Sequence, residues 1–68
     1  MKFGRLFTYH APDEAQQQSY LRIRAAAQEF AGVILEETVV CGDQQAAIRK
    51  VREAVMTANA AVALKGKV

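Results

Sequence analysis

The chain turns at Thr38-Val39-Val40-Cys41-Gly42-Asp43, a stretch that separates two long segments of helical periodicity and so decides the fold. Its β-branched residues weaken the end of a preceding helix, because branching at Cβ restricts side-chain freedom there. Gly42 can adopt a positive φ angle, and Asp43 is a good N-cap for a following helix. Two long helices joined by so short a turn predict an antiparallel hairpin.

The segment before the turn is predicted to form a first helix from about residue 12 to about residue 38, after an irregular segment over residues 1–11. Pro12 suits the first helical position, where its missing N–H is harmless. Asp13 and Glu14 then suit the positive end of the helix dipole. Apolar side chains spaced three and four residues apart form one seam, which consists of Tyr20, Ile23, Ala27, Phe30 and Ile34.

The segment after the turn is predicted to form a second helix from about residue 43 to about residue 64. Its apolar seam has the same spacing and consists of Ile48, Val51, Val55, Ala58 and Val62. A second stripe contains only alanines, Ala47, Ala54 and Ala61, whose small side chains let a neighbouring helix come close. Asn59 is the single amide among alanines; it either fixes the register between helices or binds a ligand, and we favour the structural role.

Composition indicates that the chain does not act as a monomer. Its 68 residues make one domain, residues 1–68, yet 51% of them are apolar. Two helices of this composition cannot hide their apolar surface alone. We therefore predict an all-α fold, an antiparallel two-helix hairpin with an irregular N-terminal segment, assembled into a helical homo-oligomer.

Several classes of function are excluded by charge and residue counts. A net charge of +2 is too mild for a protein that binds DNA or RNA polymers. No apolar run approaches the roughly 20 residues that span a bilayer, and no secretory leader is visible, so we expect a cytosolic protein. With Cys41 the one cysteine and His10 the one histidine, we expect no disulfide, metal site or cofactor. No catalytic motif is present either, which predicts a protein that is not an enzyme.

A binding role fits the stretch Phe7-Thr8-Tyr9-His10-Ala11-Pro12, which directly precedes the first helix. A helix N-terminus attracts anions, and an aromatic ring beside it can stack on a flat base. Tyr9 is either such a stacking residue or a lid on the core, and His10 either donates to a ligand or caps the helix. Arg24 either forms bidentate hydrogen bonds with a phosphate or is a solvated surface group.

Three segments carry a resemblance to a known family. They are Phe7-Thr8-Tyr9-His10-Ala11-Pro12, the stretch from Tyr20 to Arg24 with the alanines that follow it, and Glu53-Ala54-Val55-Met56-Thr57-Ala58-Asn59-Ala60. From about Phe7 to Ala63 the chain resembles the small phage anti-CBASS proteins that act as cyclic-oligonucleotide sponges.

The resemblance implies a helical homo-oligomer, a hexamer, that binds cyclic dinucleotides such as cyclic GMP-AMP between subunits in the host cytoplasm. Such proteins sequester the second messenger of a bacterial CBASS defence without cleaving it. The match implies that Tyr9 stacks on a base, that Arg24 from another chain meets a phosphate or base edge, and that His10 lies in contact range.

The chain departs from the family pattern at three positions. Arg24 stands near a position where the family has a lysine, and Thr57 stands where it tends to have tryptophan. Some members of the family also bind cyclic trinucleotides at separate sites. Near the end of the second helix the family often has an arginine, where this chain has Leu64 and then Lys65. Lys65 is the fourth candidate ligand-binding residue. The alternative is a structural or protein-binding hairpin oligomer that takes no nucleotide.

Overall fold

The structure is a computed structural model that describes residues 11–65, and this part of the chain forms two helices. Helix α1 spans Glu14–Glu37 and helix α2 spans Gly42–Leu64. The described residues contain no strand, which confirms the predicted all-helical character. Residues 1–10, which make up nearly all of the predicted irregular segment, lie outside the described range.

Two side-chain hydrogen bonds tie the ends of the helices together and show that they run antiparallel. Gln16 Nε2 donates to the Val62 carbonyl over 3.0 Å, so the start of α1 lies beside the end of α2. At the other end, Gln44 Nε2 donates to Thr38 Oγ1 over 3.0 Å. The predicted helical hairpin is therefore what the structure shows, and the seams of the two helices face each other.

The start of α1 differs from the prediction that Pro12 takes the first helical position. Asp13 is the N-cap, with extended backbone at φ −75° and ψ 176°, and Pro12 precedes it. The reason is a complete capping box: Gln16 N donates to Asp13 Oδ1 over 2.7 Å, and Asp13 N donates to Gln16 Oε1 over 3.0 Å. Two otherwise unpaired backbone donors are satisfied only when the helix begins after Asp13.

The start of α2 corrects two further predictions. Cys41, not Asp43, is the N-cap, and its sulfur accepts from Gln44 N over 3.4 Å. Gly42 is the first residue of the helix, so it does not supply a left-handed turn conformation. The helix begins early because Gln44 is drawn under the turn, where it is 4% exposed and bonds Thr38. Asp43 is left in the first turn, where its charge suits the helix dipole.

Replacing Gln44 with alanine is expected to lower the free energy of unfolding by about 1–2 kcal/mol, because it removes the bonds that close the turn. Urea denaturation at one fixed protein concentration measures the change. Gln18→Ala makes the same substitution at an exposed helical position and should change stability by less than about 0.5 kcal/mol. Equal stability of the two variants would contradict the role assigned to Gln44.

Residues 11–65 form a hairpin without a closed core of its own. Among residues 11–65 no apolar side chain is fully buried, and those of the seams are mostly half-buried. Several large apolar side chains are exposed, among them Phe30 at 58%, Leu21 at 57% and Met56 at 61%. Neither described helix has the length and apolar character needed to cross a membrane.

Candidate ligand-binding site

Grooves run along both sides of the helix pair, one on the first side and two adjoining ones on the other. Arg24 and Ala26 lie on opposite sides, because a separation of two residues along a helix rotates the side-chain direction by about 200°. We call the side that carries Arg24, Arg52, Met56 and Asn59 the arginine face. We call the other side the alanine face, and its groove of about 480 Å³ is lined mainly by apolar residues, including Ala26, Phe30, Ala47, Ala54 and Ala58, with Lys50.

Arg24 lies at the junction of two adjoining grooves on the arginine face. The first, of about 360 Å³, is lined by Gln17, Tyr20, Leu21, Arg24, Val55 and Asn59. It combines an aromatic ring, two neutral amides and a guanidinium group, a mixture suited to a ligand with both flat and anionic parts. Arg24 itself is exposed, so its guanidinium is open to solvent.

The second groove, of about 290 Å³, continues from Arg24 toward the turn. Its floor is apolar and includes Ala27, Val51 and Val55, while Arg24 stands on the α1 side and Arg52 on the α2 side. Among the described residues that line the two grooves of this face, none is acidic. The arginine face is therefore locally cationic, although the whole chain carries a net charge of only +2.

Asn59 lies half-buried in the first groove with Tyr20 and Arg24. Its Oδ1 is buried and has no hydrogen-bond partner within the described part of the hairpin. A buried acceptor left unpaired destabilises by about 1–3 kcal/mol, so this oxygen calls for a donor from beyond residues 11–65, whether from the rest of the chain, a second copy or a ligand. Sequence reasoning favoured a structural role for Asn59 and placed Tyr20 in the core, and it missed that both share a groove with Arg24.

Of the four residues predicted to bind ligand, the structure describes two, Arg24 and Lys65, and places them far apart. Tyr9 and His10 lie outside the described residues. Lys65 is the C-cap of α2, in the left-handed conformation at φ 53°, and its N–H donates to the Val62 carbonyl. The helix rises about 12 Å from Gln16, the residue paired with Val62, to Arg24, so Lys65 and Arg24 are far apart in one chain.

The comparison with known protein families identifies a match over most of the chain. A family model described as "Acb2/Tad1, hairpin domain" matches residues 3–63, which include both helices nearly in full together with Tyr9, His10 and Arg24. No curated protein and no solved structure matches the chain significantly.

Proposed function

Because the chain belongs to the Acb2/Tad1 hairpin family, a family of phage anti-CBASS cyclic-nucleotide sponge proteins, we propose that it sequesters cyclic dinucleotides in the host cytoplasm without cleaving them. The family match over residues 3–63 is the observation that carries this function. Cyclic GMP-AMP is an example of the cyclic dinucleotides that we expect the protein to bind.

The arginine face supplies chemistry that supports the proposal. Arg24 offers a planar fork that fits phosphate oxygens, and the groove beside it adds Tyr20 and the unpaired Asn59 oxygen. Tyr9 adds a stacking ring and His10 a donor from the segment before α1. A stacked base contributes about 1–3 kcal/mol and a charge-assisted hydrogen bond about 1.5–3 kcal/mol. Two copies of each contact reach tight binding when the site is preorganised.

We assign the ligand to a site between subunits of a homo-oligomer, a hexamer. A cyclic dinucleotide has two bases and two phosphates, and a twofold interface presents the same Tyr9 and Arg24 twice. The lack of a closed core in the described hairpin supports such assembly, since the exposed apolar groove on the alanine face needs a cover. Lys65, remote from Arg24, would serve only a separate site for cyclic trinucleotides, and the absence of the family's arginine there weakens that site.

Isothermal titration calorimetry against a panel of cyclic dinucleotides and trinucleotides tests the function. The expected result is submicromolar binding of about one dinucleotide per two chains, as the twofold site requires. Ligand recovered intact after the protein is denatured would show sequestration rather than cleavage. Absence of heat and of any thermal shift across the whole panel would reject the sponge function.

A protein-binding hairpin is the second candidate, and the exposed groove on the alanine face favours it. Phe30, 58% exposed, lines this groove, which a helix from another protein could fill. The same calorimetry separates the two candidates, because a partner-binding hairpin would ignore every nucleotide of the panel.

A further inference from the structure

We propose that Arg52 is a second phosphate-binding residue, which acts with Arg24 on one phosphodiester of the ligand over the arginine face. This inference rests on the proposed function and adds a residue to its site. It comes from the tertiary arrangement, because Arg52 belongs to the other helix and lies outside the three segments that carry the family resemblance.

The two arginines stand at nearly the same level of the hairpin. The hydrogen bond between Gln16 and Val62 fixes the register of the antiparallel helices. Eight residues along α1 from Gln16 lead to Arg24, and about eight residues back along α2 from Val62 lead to residue 54, which therefore lies level with Arg24. Arg52 is displaced from that level along the helix axis by only about 3 Å. Both side chains line the same groove of about 290 Å³, one from each helix.

Neither arginine has a carboxylate where a helix would place its partner. The side chains three and four residues away from Arg52 are Ile48, Arg49, Val55 and Met56, and those around Arg24 are Tyr20, Leu21, Ala27 and Gln28. Arg49, in contrast, has Glu53 four residues later, the spacing of an ordinary surface ion pair. The acids that would neutralise Arg24 and Arg52 are also absent from the described lining of their grooves.

Two guanidinium groups beside an uncharged groove form a site for an anion. Like charges held close together repel each other, and a phosphodiester between them removes the repulsion while its two free oxygens accept hydrogen bonds. The floor of the groove is apolar, and Met56, 61% exposed, extends that surface. This apolar surface offers a sugar or base a place to pack beside the two guanidinium groups.

The test compares Arg52→Ala with Arg49→Ala, which removes the same charge from an arginine of the same helix. Calorimetry with cyclic GMP-AMP is expected to show that Arg52→Ala weakens binding about ten- to a hundredfold and flattens its salt dependence. Arg49→Ala should change affinity less than about threefold. Arg52→Lys, which keeps the charge but not the fork, should fall between Arg52→Ala and the unaltered protein, and it serves as the test if the alanine variant does not fold.

A double-mutant cycle with Arg24→Ala shows whether the two residues meet the same phosphate. Joint action predicts a double variant that is measurably less impaired than the product of the two single losses. Unchanged affinity in Arg52→Ala would overturn the inference while leaving the sponge function in place. A lower sedimentation mass in that variant would overturn it as well, since Arg52 would then hold a carboxylate of a second chain. Failure of the unaltered protein to bind any nucleotide would instead reject the proposed function itself.

Discussion

Replacing Tyr9 with alanine is expected to weaken the binding of cyclic dinucleotides about thirtyfold or more while leaving the oligomer intact. A twofold site uses two copies of the ring, and each stacked base contributes about 1–3 kcal/mol. Losing both weakens binding by about 2–6 kcal/mol, which is about thirtyfold to more than ten-thousandfold. Calorimetry gives the affinity, and sedimentation equilibrium gives the mass of the assembly.

Tyr9→Phe is the matched control, because it keeps the stacking face and removes only the hydroxyl. This variant should bind within about tenfold of the unaltered protein. If Tyr9→Ala bound cyclic dinucleotides as well as the unaltered chain, the stacking role would be wrong. The segment before α1 would then be a lid on the hairpin, the other interpretation that its sequence allows.

Replacing Phe30 with glutamate is expected to dissociate the oligomer at micromolar concentration. Phe30 lines the apolar groove of about 480 Å³ on the alanine face, which we propose is covered by a second copy of the chain. A carboxylate there would be taken out of water, a penalty of several kcal/mol that an ion pair with Lys50, which lines the same groove, offsets only in part. No basic residue stands three or four positions away on α1 to relieve it. Sedimentation equilibrium should therefore give the mass of a single chain.

Val40→Glu controls for the added charge. Val40 is an apolar residue of the turn, 86% exposed, and does not line the groove on the alanine face. This variant should keep the mass of the unaltered assembly. A Phe30→Glu variant with that same mass would contradict the covered alanine face. When Phe30→Glu does dissociate, its loss of nucleotide binding would support a site between subunits, and retained binding would place the whole site within one chain.

The two variants also separate the parts of the proposal from each other. Tyr9→Ala tests ligand contact in an assembly that stays whole, whereas Phe30→Glu tests assembly in a chain that keeps Tyr9 and Arg24. A thermal melt of Phe30→Glu should further depend less on protein concentration, because the folded form no longer gains stability by association.

Local sequence patterns predicted the hairpin because helix type and length depend on neighbours within one or two turns. The seam from Tyr20 to Ile34 and the β-branched turn were sufficient for two antiparallel helices. Helix starts were less predictable, because several residues compete to cap the same free N–H groups. Asp13 rather than Pro12 defines the start of α1, and Cys41 rather than Asp43 caps α2, since each choice depends on which side chains reach the backbone.

The sequence by itself therefore determined a two-helix chain rich in apolar residues, and it singled out Arg24 from its charge and position. Only the tertiary structure decided which residues surround that arginine. Arg52 and Asn59 come from α2. The periodicity of one helix contains no information on which residues of the other helix lie at the same level. The register set through Gln16 and Val62 places them beside Arg24 and leaves Lys65 at the far end of the hairpin.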